Sequence, residues 1–532
     1  MNPTTVTTEE KQPGLTQRAA LLMIANVIAT VISFALPLVL VRTMSQADYG
    51  LYKQAFQIMA SALALLNLQV AVSVFYFSAR EPEKKLQVAL NVMLFYGLVG
   101  ALVFLTFLLW PSWVTLIFQG ADLVPHIPLL GFAILCSLVS TNLDAVPIAA
   151  GEVAKASALI VLAQLSKAIV MIVAGLVFGS LTAILVAAVI QSLAQIAFMM
   201  IYIRGRYGRF FAALDGPLFQ AQIGNALPFG VGGIVAIVQN DMHNYFVSYH
   251  FEPAIFAIYS VGCFQLPLLA MLAGSFASAL NPELARHKEA GDHPAIIRLW
   301  MEVICKLAFF FAPAFVLLFV LRREFIVALF TDAYAASVPI FAINLLSILA
   351  GTLVHMHILR LFEELKYFRL KLYLVLIPVT WGALSLGLHL GGLLGVTVAA
   401  VCVQMLDLSI TLAMIKRELG VARRDLRHLA PLLRIAAAAA AAAALTLVVK
   451  VLLPSAQALL LFLICAAVFG LVYIVAAFAM GAVSEEEKEG LRALWMKVYR
   501  LWRRRVSPVS SATESQELFV GTANEPCEYK IK

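Results

Sequence analysis

Charge is scarce in this chain, and where it occurs it is segregated. Only 13% of the 532 residues are charged and 62% are hydrophobic, with a mean hydropathy of +0.92. A soluble domain carries about 25% charged residues, so composition excludes that class. Cysteine is sparse as well: six residues, at 136, 263, 305, 402, 465 and 527, none with metal-ligand spacing. This excludes a disulfide framework and a zinc site. No Gly-rich phosphate loop, Walker lysine motif or CxxC is present, so nothing points to ATP hydrolysis, a cofactor or a bound metal. Long polar linkers are missing too. The gaps between apolar stretches reach only roughly 15–20 residues, too short for an extramembrane catalytic domain.

What is present is apolar sequence in membrane-sized pieces. Fourteen stretches of about 20 residues are each long enough to cross a bilayer as a helix. The first, 19–41, exceeds the apolar core of a signal peptide and reads as a retained span. Lys and Arg alternate from gap to gap. One set of gaps, with the two ends, collects 28 of them, including Arg80, Lys84, Lys85, Arg204, Arg206, Arg360, Arg369 and the run from Lys488 to Arg505. The other set holds five: Arg42, Lys53, Arg322, Arg323 and Lys450. Positive loops stay cytoplasmic. The expectation is a multi-pass protein of the bacterial inner membrane with both termini cytoplasmic. Topology accounts for the net charge of +8, and nucleic acid is not expected as a partner.

An internal repeat divides the chain. Tyr52 and Tyr259 open the second and eighth spans, 207 positions apart, in similar aromatic-small-aliphatic strings. Phe118 and Phe330 precede the fourth and tenth spans, and Glu152 with Lys155 matches Glu363 with Lys366. Six spans per unit is even, so the copies share orientation. The expected fold is all-α, with two six-helix lobes in parallel repeat and two extra C-terminal helices. The expected boundaries are a tail at 1–14, lobes at 15–215 and 216–418, and helices 13–14 at 419–483. An interfacial amphipathic helix follows at 484–505, then a disordered tail at 506–532. Nine alanines from Ala436 to Ala444 read as a span with little side-chain constraint. In 484–505, Ser484 with Glu487 fits a capping box. Leu491, Leu494, Trp495, Val498, Leu501 and Trp502 share one helical face with basic residues nearby, which suits a helix lying on anionic lipid.

The string Leu40-Val41-Arg42-Thr43-Met44-Ser45-Gln46-Ala47-Asp48-Tyr49-Gly50-Leu51-Tyr52 resembles the polysaccharide-flippase branch of the MOP superfamily. Pro228 and Asp241 in the seventh span, and Leu329, Phe330 and Tyr334 before the tenth, extend the resemblance over about residues 15–480. It implies movement of undecaprenyl-diphosphate-linked oligosaccharide from the inner to the outer leaflet for surface polysaccharide synthesis. The implied partners are that lipid-linked oligosaccharide, membrane lipids, and a glycan polymerase and glycosyltransferases. Lipid II flippases and cation-coupled multidrug exporters of the same superfamily are the alternatives. A membrane glycosyltransferase ranks behind them, because the outer gaps are short.

Such a substrate needs positive charge for its phosphates and hydrogen-bonding side chains for its sugars. Charge within a span costs a few kcal/mol, so charged residues there are the candidates. Lys167 stands near the middle of the fifth span. It reads either as a phosphate or acidic-sugar contact, or as a structural partner of Asp144 or Asp407. Arg42 and Lys53 stand at the outer mouth, placed to meet the diphosphate or lipid phosphate. Asn240 and Asp241, with Gln239, form a polar cluster suited to sugar or, with further oxygens, to a driving cation. Asp144, Asp407 and Arg360 are candidates for coupling or structural charge. His355 and His357, beside Arg360, are two apart and face different sides of a helix, which argues against a metal pair. Lys306 is close enough to the headgroups to snorkel.

Overall fold

The computed structural model describes residues 15–482, apart from 120, 141–144, 209–214, 366 and 454–456. The expected tail at 1–14, the amphipathic segment 484–505 (positions 489 and 496 excepted) and the tail 506–532 lie outside the described residues, as does Asp144. Among the described residues the chain is helical throughout, with no strand. The first half runs α1 (Leu15–Thr43), α2 (Gln46–Leu66), α3 (Val70–Arg80), α4 (Lys85–Leu109), α5 (Ile127–Ser140), α6 (Ala145–Ala149), α7 (Val153–Phe178) and α8 (Leu181–Tyr207). Then come α9 (Gly216–His250), α10 (Pro253–Gly262), α11 (Pro267–Glu289), α12 (His293–Val320), α13 (Arg322–Phe330), α14 (Val338–Asn344), α15 (Leu346–Gly351), α16 (His355–Leu359) and α17 (Phe368–Leu419). Helices α18 (Pro431–Leu452) and α19 (Ala458–Ala479) end the described chain.

Twelve helical stretches are long and apolar enough to cross a membrane, where the sequence suggested fourteen. Part of the difference lies in α17, a single stretch of 52 residues broken at Gly391 and Gly392. A Cβ on Gly387 would lie 2.4 Å from the carbonyl oxygen of Gly395. Eight residues of straight helix would separate them by about 12 Å, so the chain doubles back there, and only glycine permits the close pass. Helix α9 is not among the twelve, although its 35 residues span about 52 Å. It carries Gln222, Asn225, Gln239, Asn240, Asp241, His243 and Asn244 along its length.

Local chemistry sets the helix starts. Ser45 accepts the Asp48 N–H at 3.1 Å and caps α2, with Asp48 itself in the first turn, where its charge complements the helix dipole. Ser180 caps α8, and Asp215 caps α9 by accepting the Leu218 N–H at 3.0 Å. The expected second span breaks at Leu68 and Gln69, both with positive φ. Tyr96 holds that break, accepting the Ala71 N–H at 3.0 Å and donating to the Asn67 carbonyl.

The gaps gather at two ends. At one end, Lys84 pairs with Asp215 at 2.7 Å, and Glu152 pairs with Lys155 at 3.1 Å and with Arg206 at 3.7 Å. At the other end, Arg42 donates to the Ala328 carbonyl at 2.8 Å and Gln46 to the Ala333 carbonyl at 2.5 Å. The Gln119 N–H there donates to Ser248 at 2.9 Å. These are the same two groups of gaps that charge separates in the sequence.

Helices α18 and α19 pack on α12 and α13. The alanine run is more constrained than its composition suggests. Ala438, Ala439 and Ala442 are buried against Phe309, Phe469 and Tyr473, where small residues let helices approach closely. Tyr473 donates to the Phe309 carbonyl at 2.7 Å, and Lys450 pairs with Glu324 at 3.0 Å.

Candidate functional site

The Arg42 end is sealed between the two halves of the chain. Tyr49, Phe118, Phe330, Tyr334 and Phe341 are all fully buried there. The Tyr49 and Tyr334 rings meet edge to face at 5.9 Å. Gly50 faces α10 so closely that a Cβ would lie 1.8 Å from the Pro253 carbonyl oxygen. Deeper in, Ser61 of α2 donates to Asp241 of α9 at 2.8 Å. Next to it, His243 and Tyr259 share a hydrogen bond of 2.8 Å, and Gln239 donates to Thr380 at 2.6 Å.

Below this seal, toward the Lys84 end, the halves part around a cavity of about 1190 Å³. Its walls come from α3, α9, α16 and the start of α17. Gln69, Ser73, Asn225 and Tyr76 supply polar groups, and Arg360 and Arg369 supply charge. No carboxylate lines it among the described residues. Arg369 is anchored: Nη1 donates to Asp407 at 2.8 Å and to Thr411 at 3.1 Å, and the guanidinium lies over the Tyr373 ring at 4.2 Å. Its Nε–H is buried without an acceptor among the described residues. Arg360 is exposed to the cavity and has no ion-pair partner among the described residues. The site is therefore a chamber with mostly apolar walls, a few hydrogen-bonding side chains and two guanidinium groups, able to take an anion with hydrogen-bonding groups attached.

The candidates from the sequence fall into three places. Arg360 lies in the chamber. Asp407 braces Arg369 there, which excludes it as the partner of Lys167. Arg42, Lys53 and Asp241 belong to the seal, Lys53 over the Tyr49 ring at 5.5 Å, while Asn240 is exposed nearby on α9. Lys167 lies elsewhere, in a pocket of about 260 Å³ inside the first half. Lys306 pairs with Glu302, one turn away on α12, at 2.5 Å. His357 meets Asn281 at 3.1 Å. Sequence reasoning missed Arg369, Tyr373 and Tyr76. A signal existed: Arg369 opens one leg of α17 and Asp407 lies deep in the next, and opposite charges in consecutive spans pair readily.

Residues 15–288 match the family model described as polysaccharide biosynthesis protein. The chain belongs to this family. No curated protein sequence matches it. Among solved structures, the chain is similar to "Lipid II flippase MurJ, inward closed conformation". The TM-score is 0.63 at 13% identity, covering 86% of this chain and 98% of that one. It is also similar to an outward-facing multidrug resistance MATE family transporter of the MOP superfamily, with TM-score 0.51, 12% identity, and 76% and 95% covered. A MATE structure in complex with MaL6 gives 0.53 at 12% identity, with 77% and 97% covered. The chain thus has the fold of MOP superfamily membrane transporters.

Proposed function

We propose that this protein is a flippase that carries undecaprenyl-diphosphate-linked oligosaccharide from the inner to the outer leaflet, for surface polysaccharide synthesis. The observation that carries the reading is the chamber with two arginines, hydrogen-bonding side chains and, among the described residues, no lining carboxylate. A diphosphate is met by the free guanidinium of Arg360 and by the spare Nε–H of Arg369. Gln69, Ser73 and Asn225 suit sugar hydroxyls, and Tyr76 and Tyr373 offer ring faces. The same charge repels the cations that a multidrug exporter would hold. The positive-loop asymmetry assigns the Lys84 end to the cytoplasm, so the sealed Arg42 end faces outward and the chamber is loaded from inside. The lobes 15–215 and 216–418 then rock to open the seal. The chain binds and moves its cargo and catalyses no bond change. An inside-negative potential favours outward passage of an anionic head by about 2.3 kcal/mol per charge per 100 mV, so no dedicated coupling ion is required. Glycan polymerase and glycosyltransferases act on either side of this step.

The test is a leaflet assay in proteoliposomes with fluorescent undecaprenyl-diphosphate oligosaccharide and an impermeant quencher. Arg360→Ala removes a charge-assisted contact of about 1.5–3 kcal/mol and is expected to slow exchange about 10–100-fold. Lipid II and a cationic dye serve as competing substrates. Wild-type exchange of lipid II alone, or efflux of the dye alone, would overturn the assignment.

A further inference from the structure

The pocket around Lys167 has no part in the scheme above. It lies wholly within the first half, between α2, α5, α7 and α8, lined by Ser140, Gln164, Gln191, Ser192 and Gln195 among others. Lys167 is the fifteenth of 26 residues in α7, about 21 Å from one end and 16 Å from the other. That is too deep for its ammonium to reach either headgroup layer. It makes no hydrogen bond or ion pair with any described residue, and no carboxylate lines the pocket among them. The other donors are unevenly used. Gln191 donates to the Ala163 carbonyl at 3.0 Å and to Ser166 at 2.7 Å, and Gln164 donates to Ser33 at 2.7 Å. Gln195 has no protein partner among the described residues. Three ammonium hydrogens and the Gln195 amide thus converge on a space that, among the described residues, offers neutral hydroxyl and amide oxygens but no carboxylate. A buried ammonium in that position calls for a counter-charge.

We propose that this pocket is a second anion site, distinct from the chamber, that takes one small monovalent acidic group on Lys167 and Gln195. At about 260 Å³ it holds a halide or a carboxylate with a few waters, each needing about 30 Å³. It is too small for a diphosphate carrying sugars. Leu63 of α2 lines the pocket and Gln69 lines the chamber, six residues apart across the break at Leu68 and Gln69. The group has two possible sources: a free halide, or a uronic-acid carboxylate of the transported glycan. Only the second rests on the flippase reading.

The experiment is equilibrium binding of radiolabelled chloride and of radiolabelled glucuronate to full-length protein in nanodiscs, in zwitterionic buffer. The background is Arg360→Ala, which leaves in the chamber only the Arg369 guanidinium already paired with Asp407. One saturable equivalent is expected, weakened at least about tenfold by Lys167→Gln, a change of about 1.4 kcal/mol, and kept by Lys167→Arg. Chloride binding without glucuronate binding assigns a free halide; glucuronate binding assigns the glycan carboxylate. If Lys167→Gln does not fold, Gln195→Leu is expected to weaken the same equivalent several-fold. Binding of neither anion up to about 100 mM, or binding indifferent to both variants, overturns the proposal. The readout needs no translocation, so its failure leaves the leaflet assay standing, and the reverse also holds.

Discussion

Single residues decide how the sealed end closes. Gly50 sits where a side chain has no room, because the Pro253 carbonyl occupies the place of its Cβ. The aromatic-Gly-x-Tyr text at Tyr49 to Tyr52 thereby acquires a physical cause. Tyr49 and Tyr52 are buried in the seal, and the glycine between them admits α10. Gly50→Leu is expected to wedge α2 from α10. The readout is labelling of a cysteine at Ser61, behind the seal, by an impermeant maleimide added from the Arg42 side. Labelling is slow with Gly50 in place and several-fold faster in the Leu variant; equal rates would show that the contact does not hold the end shut. Residue identity was also the level at which the sequence left most open. Lys167 drew attention as a mid-span charge, but a charge in a span does not say which cavity it faces. Arg369 looked like one more positive loop residue, and its role depends on Asp407, 38 positions on, a pairing that only the fold of α17 brings about.

Among the elements, α9 stands apart. Its first half is fastened to the preceding lobe: Asn91 donates to Gln222 at 2.9 Å, Gln222 donates to Ser73 and the Val88 carbonyl at 3.3 Å each, and Lys84 pairs with Asp215. Its second half is fastened on both sides, to the following half of the chain through Thr380 and Tyr259 and to the preceding half through Ser61 and Gln119. A boundary drawn at 216 is thus a boundary of sequence more than of packing. The Lys84 hydrogen bond, then that of the Leu218 N–H, holds the Asp215 carboxyl below its ordinary value. A depressed carboxylate contributes stability that is complete above its unfolded-state pKa and is lost as pH falls through the lowered folded value. Thermal unfolding of the protein in detergent is therefore expected to lose midpoint on acidification across the carboxylate range. Asp215→Asn should flatten that slope and leave neutral-pH behaviour of other carboxylates unchanged; an identical slope in the variant would remove α9's anchor from the account. Helix existence and the two groups of gaps were legible from hydropathy and charge alone. The break at Leu68 and Gln69 was not, since neither residue is a turn former and Tyr96, packed from α4, imposes the conformation.

At the scale of the whole molecule, rocking requires the seal to part. Cysteines at Gln46 and Ala333 joined by a short bifunctional thiol reagent, in a background without the native cysteines, are expected to abolish leaflet exchange. Cleavage of the link by reductant should restore it. Exchange that persists in the linked protein would mean that cargo passes without separation of these halves. Helices α18 and α19 are tied to α13 and α12 by the Lys450–Glu324 pair and the Tyr473 hydrogen bond, and are expected to move with them.

The fastening between Arg42, Gln46 and the α13 region has a consequence for how such a chain drifts over generations. On one side it uses the side chains of Arg42 and Gln46; on the other it uses only the backbone oxygens of Ala328 and Ala333. Every amino acid carries that oxygen. The second half can therefore change its residues at 328 and 333 without loosening the lock, while the first half is held to its text, so descent leaves its record unevenly on the two faces of one contact.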